Sequence, residues 1–165
     1  MERFWNIVYY FVYRANCRLT YNYFKYTGLR KLYKTQFMKR RFEKMEIKNP
    51  EGELMNILTN PDGMFGGSFV GGLMNVLLGF FLYGLYIRFI YRNNIIISKK
   101  FELFLIIVFF FISFLFSHFL LWYKNKCKKY FQEFAKMPRK WKIKWAWISL
   151  FVILFPFVFF IWSML

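Results

Sequence analysis

The sequence is poor in the groups that carry most protein chemistry. It has a single histidine, His118, so no site needing two imidazoles can form within one chain. It has two cysteines, Cys17 and Cys127, which do not suggest a disulfide framework. Acidic residues number 8 against 25 lysines and arginines, and no acidic pair falls in an apolar run. The glycines do not form a phosphate loop, because Gly63-Met64-Phe65-Gly66-Gly67 lacks the spacing and the lysine. No small-residue cleavage site follows the short apolar run Phe4–Tyr13, and Glu2 precedes it, which argues against a secretory signal. An amphipathic presequence is a nearer rival because the first turns are basic. Against it, Glu2 is acidic, residues 1–47 contain no serine, and the aromatic load is high. These absences predict a chain that is not catalytic by itself, with no cofactor and no metal site.

What is abundant is apolar and aromatic surface beside positive charge. The chain has 165 residues, 58% of them hydrophobic, with 25 Phe, 12 Tyr and 6 Trp, and a net charge of +17. A soluble domain of this length keeps a large fraction of its area in water and could not hide so many rings. The two features are segregated: long runs hold almost no charge, and the segments between them are densely basic. That pattern predicts an all-α integral membrane protein.

Three spans follow, at about 69–90, 103–123 and 145–165. Each has 21 or 22 residues and, at about 1.5 Å of rise per residue, covers about 30 Å, the thickness of a hydrocarbon core. Tyr91, Arg92, Trp122, Tyr123, Trp145, Trp147 and Trp162 mark their ends. Pro156 lies inside the third span, where lipid-embedded helices tolerate a kink.

Residues 1–47 form a basic, aromatic helical segment. Phe4, Ile7, Val8, Phe11 and Val12 have the one-face spacing of a helix. Gly28 separates this helix from a second that carries Arg30, Lys31, Lys34, Lys39, Arg40, Arg41 and Lys44. The segment either lies in the headgroup layer, with cations near lipid phosphates, or docks on a partner. Residues 48–66 read as a turn-rich loop with two signatures, Asn49-Pro50-Glu51-Gly52 and Asn60-Pro61-Asp62-Gly63. Residues 67–165 form the membrane domain.

Loop charge sets an orientation. The short connector has Arg92, Lys99 and Lys100; the long one has Lys124, Lys126, Lys128, Lys129, Lys136, Arg139, Lys140, Lys142 and Lys144. Three spans place the basic N-terminal segment and the long connector on one side. The positive-inside bias then puts both inside. Two or four spans would break that agreement.

Four sets of residues are candidate sites. Gly67, Gly71, Asn75 and Gly79, in line with Gly63 and flanked by Ser68 and Gly72, are four apart and close to one helix face. The ladder reads as a tight helix–helix seam, within the chain or with another subunit. The blander reading is a glycine-rich helix entrance, with Gly63, Gly66 and Gly67 in loop. His118 is expected buried near the inner interface, as a proton relay or ligand, or as a neutral imidazole bonded to Ser113, Ser117 or a backbone carbonyl. Arg88 and Glu102 form a candidate outer-interface pair closing the first two spans into a hairpin; the alternative is that each snorkels to the headgroups. The basic clusters could attract nucleic acid, but beside three spans anionic lipid and acidic protein surfaces are the simpler partners.

Phe, Tyr, Ile, Lys and Asn are abundant and Ala, Val and Gly comparatively scarce, as expected of an AT-rich coding sequence. In this the whole chain resembles membrane subunits encoded in AT-rich mitochondrial DNA, especially those of ciliates. The likeness is compositional and carries over no functional residue. It implies a structural subunit of a respiratory complex or ATP synthase in the mitochondrial inner membrane. Its N-terminus would lie on the matrix side, among other membrane subunits and an anionic lipid such as cardiolipin. An AT-rich bacterium could produce the same bias, and the rival is then a small inner-membrane protein forming a homo-oligomeric pore or effector. A membrane enzyme acting on lipid is a third reading, weakened by the lack of paired polar residues in the spans.

Overall fold

The computed structural model describes residues 1–165 except Leu29, Arg30, Tyr33, Asp62, Asn94, Ile96 and Ile97, and the side chains of Met64, Phe65 and Asn125. The described residues are all-α, without strands. The helices are α1 (Glu2–Tyr26), α2 (Gln36–Lys44), α3 (Pro50–Thr59), α4 (Phe69–Asn93), α5 (Lys99–Ser117), α6 (Lys126–Ala135) and α7 (Arg139–Met164). Three segments are long and apolar enough to cross a membrane: 66–93, 99–122 and 139–164. The expected spans lie within them, apart from one residue at the end of the second and of the third.

The starts of the spans follow from local chemistry. Ser98 caps α5 by accepting from the Phe101 N–H at 3.4 Å, and Glu102 sits in the first turn, where the helix dipole favours an acid. Pro138 precedes α7 in extended geometry, and its carbonyl receives the Lys142 N–H at 3.1 Å. The third helix therefore starts at Arg139, six residues before the expected start of the span at Trp145, and its first turn is basic.

The chain divides into two compact units. The first comprises Met1–Phe11 and Gly71–Leu165. In it α4 contacts both other spans. Tyr83 lies near Glu102, Gly79 near Phe110 and Gly71 near Trp122, so α5 runs antiparallel to α4. Phe81 meets Phe155 and Phe159, and Arg88 meets Trp162, so α7 runs parallel to α4. Aromatic rings fill the spaces between: Phe80 packs on Phe110, Phe157 and Phe160 at centroid distances of 6.0, 6.2 and 5.1 Å.

The second unit is Val12–Val70. Gly28 has φ +73°, the left-handed conformation that glycine adopts without strain, just beyond the end of α1. Of the expected second-helix cations, Lys39, Arg40, Arg41 and Lys44 lie on α2, while Lys31 and Lys34 precede it; Arg30 falls outside the described residues. Residues 48–66 are not a continuous loop. Asn49-Pro50-Glu51-Gly52 is a helix start: the Asn49 side chain accepts from the Gly52 N–H at 3.0 Å, Pro50 occupies a first-turn position where no N–H is needed, and Glu51 and Glu53 face the dipole. The second signature does turn the chain. The Asn60 carbonyl accepts from the N–H groups of Gly63 and Gly67, at 3.0 and 3.2 Å; Asp62 lies outside the described residues. The Tyr13 hydroxyl donates to the Thr59 carbonyl, joining α1 to the end of α3.

Candidate functional site

The second span ends in an interrupted helix. After Ser117 the backbone passes through a π-helical turn, His118–Trp122, then a 3₁₀ turn, Tyr123–Asn125, in which Lys124 has φ 58° and ψ 34°. That is left-handed geometry, which a lysine adopts only at a cost. An interruption of this kind frees carbonyl groups. Two of them find side chains: Asn6 Nδ2 donates to the Leu120 carbonyl at 2.9 Å, and Lys126 Nζ lies 3.5 Å from that of Phe119.

The first turns of α1 dock here, beside α6. Ile7 and Tyr10 are buried with Phe134 of α6, and Tyr130, Phe131, Trp141 and Trp145 pack around them. Cys127, Tyr130, Phe131 and Phe134 have helical spacing, so α6 is an amphipathic helix within the expected basic connector. Polar contacts ring this core. Lys126 Nζ donates to Glu2 Oε2 at 2.7 Å, the Tyr130 hydroxyl to Glu2 Oε1 at 3.2 Å, and Arg3 to Glu133 at 2.6 Å. The Lys126 hydrogen bond holds the Glu2 carboxyl below the usual glutamate range, against a smaller opposing effect of burial. Burial and the bond to Glu2 push the Tyr130 phenol up.

The expected ladder takes a more specific form. Gly66 and Gly67 lie in the π-helical turn Met64–Ser68, ahead of α4, rather than in loop. A Cβ on Gly71 would lie 2.2 Å from the Trp122 ring, and one on Gly79 2.8 Å from Phe110. Each glycine makes room for an aromatic ring of the second span. Asn75, between them, has a buried Oδ1 without a hydrogen-bond partner. Gly84, outside the ladder, does the same toward α7, where an added Cβ would meet Phe159 at 3.2 Å and the Ser163 hydroxyl at 3.3 Å. A further signal was available: Ser113, Ser117, Ser149 and Ser163 are all buried and mark the inward faces of α5 and α7.

His118 is exposed on the chain rather than buried. Its ring stacks between Phe114 and Trp122 of its own span, at centroid distances of 6.2 and 6.4 Å. Neither expected serine holds it: Ser113 donates to the Phe109 carbonyl, and the Ser117 hydroxyl is unpartnered. The i−4 carbonyl is the nearer acceptor for Ser113.

Arg88 and Glu102 take separate partners. The Arg88 guanidinium lies 4.2 Å from the centre of the Trp162 ring, while Glu102 accepts from the Tyr83 hydroxyl at 2.8 Å. The reason is helical phase. Five positions turn the helix by about 500°, so Arg88 sits about 140° around α4 from Tyr83. The hairpin of the first two spans is closed by Tyr83 instead of Arg88.

Between α1, α4 and α7 lies a cavity of about 700 Å³, bordered by Trp5, Val8, Leu77, Phe81, Val152 and Phe155, among other apolar residues. Among the described residues no group of three His, Cys, Asp or Glu could hold a metal ion. Comparison of the chain with protein-family models, curated proteins and solved structures finds no match.

Proposed function

We propose that the chain is a non-catalytic structural subunit of a multi-subunit inner-membrane complex, of the respiratory or ATP-synthase kind. The observation that carries this reading is the uneven burial of the spans. About a third of the most apolar window of α4 is buried within the chain, against 11% for α5 and for α7. Phe104, Ile107 and Phe111 on α5, and Trp147, Leu150 and Ile161 on α7, are exposed. These faces offer ring-rich lateral surface to neighbouring subunits or lipid, and the +17 charge favours acidic subunit faces and anionic headgroups. The mitochondrial inner membrane, with the N-terminus on the matrix side, rests on the compositional resemblance and the loop charges. The pore reading is weakened because Gly71 and Gly79, its self-association seam, already face rings of the same chain.

The test is solubilisation of native membranes in mild detergent. The chain should migrate with a much larger complex, its loss should weaken that complex, and His118→Ala should leave turnover nearly unchanged. A chain running alone, or only with its own copies, would refute the proposal.

A further inference from the structure

The 700 Å³ cavity has the size of a small-ligand site. A bilayer-spanning helix about 10 Å across and about 30 Å long displaces on the order of 2,500 Å³, so a partner helix is far too large to enter. The occupant must be slender and apolar. Every lining side chain is hydrocarbon, thioether or ring, and one alone can make a conventional hydrogen bond, Trp5, whose indole N–H is buried without an acceptor. Pro156 is part of the wall. Lacking an N–H, it leaves the α7 ladder open at Val152, where helices bend.

Charge identifies the other end of the occupant. On α7, Lys140 and Lys144 stand eleven and seven positions before Phe151, another lining residue. At about 100° per residue both fall within about 20° of its direction. Both lysines are exposed, and the described ion pairs of this unit use other residues. Lys144 is about 10 Å along the axis from Phe151, and Lys140 about 16 Å. The stripe therefore runs from cations at the end of the span to an apolar hole within it.

We propose that the cavity holds one acyl chain of an anionic membrane phospholipid, with the headgroup at Lys140 and Lys144. The ester carbonyls of such a lipid are acceptors of the kind the Trp5 N–H lacks. The proposal deepens the lipid partnership above, but it rests on the membrane reading and not on membership of a larger complex.

The purified full-length chain in mild detergent, titrated with dioleoyl-phosphatidylglycerol or dioleoyl-phosphatidylcholine and read by native mass spectrometry, tests it. One phosphatidylglycerol should bind in preference to phosphatidylcholine. Lys140→Gln with Lys144→Gln should weaken phosphatidylglycerol by roughly 25-fold, about fivefold per lysine, and leave phosphatidylcholine unchanged. Val152→Trp, which fills the cavity, should weaken both lipids at least tenfold, while Phe104→Trp on the exposed face of α5 should weaken neither. Because the two lysines are exposed, their variant remains informative even if Val152→Trp misfolds. Equal binding of both lipids by the wild-type chain, or phosphatidylglycerol affinity unmoved by the lysine pair, would overturn the proposal. So would a photo-crosslinker at Val152 that labels protein instead of lipid in native membranes.

Discussion

The side-chain amide of Asn6 donates to the carbonyl of Leu120 at 2.9 Å, across 114 positions of sequence, at the point where the second span breaks. Asn6 is fully buried and also donates to the Glu2 carbonyl. Replacing it with leucine leaves the Leu120 carbonyl with no amide donor. Asn6→Leu should therefore destabilise the fold by about 1–3 kcal/mol, read as a lower thermal midpoint in detergent. Amide exchange should rise first between residues 120 and 126. An unchanged midpoint would mean that water or lipid satisfies that carbonyl equally well.

Gly71→Ala places a methyl group against the Trp122 ring and should be destabilising, by about 1–3 kcal/mol. Gly72 has nothing within 4 Å of an added Cβ. Gly72→Ala should be neutral or stabilising, by up to about 1 kcal/mol, because alanine is the better helix former. Shortening the ring in Gly71→Ala/Trp122→Leu should recover part of the loss. Equal midpoints for the two alanine variants would remove the close-approach argument.

The Glu2–Lys126 contact makes the docking of α1 sensitive to acid. The Glu2 carboxyl is held below its ordinary 4.5. Its contribution is thus fully present above about that pH, and it is lost as pH falls through the lower, folded value, where the unfolded chain already binds the proton. Exchange protection of residues 2–11 should drop in that acid window. Glu2→Gln should flatten the dependence there, whereas Lys31→Gln, in the other unit, should not. An unaltered acid profile in Glu2→Gln would exclude this ion pair as the cause.

Single cysteines at Ile95 and Lys128, in a Cys17→Ser/Cys127→Ser background, should be labelled by an impermeant maleimide from opposite faces of the membrane. Ile95 should react from outside. Reaction of both from one face would contradict three spans.

The spans were legible in the sequence because an uncharged apolar run of about 20 residues has one physical meaning. Helix α3 was not, because Asn49-Pro50 suits a turn and a capped first turn equally; what decides is whether apolar residues such as Leu54 and Leu58, both partly buried, gain a packed position. Helix α6 was legible in principle, since Cys127, Tyr130, Phe131 and Phe134 recur at helical spacing, but dense lysines masked the stripe. The ladder located two glycines that admit rings, yet the rings themselves, Trp122 and Phe110, depend on register between helices. The same holds for Arg88, whose phase around α4 selects Trp162 over Glu102. The cap at Leu120 leaves no sequence mark, because a carbonyl becomes an acceptor in need only where its helix happens to break.

That cap also constrains when the molecule can be completed. Residues 2–6 are synthesised long before the groups that receive them: Leu120 lies near the end of the second span, and Lys126, Tyr130 and Glu133 follow it. During that interval Ile7 and Tyr10 of α1 lack Phe134 of α6, the side chain they are buried with. Closure therefore waits on contacts more than 100 positions apart, the slow kind in folding. Until α6 is made, that side of α1 stays uncovered by its own unit.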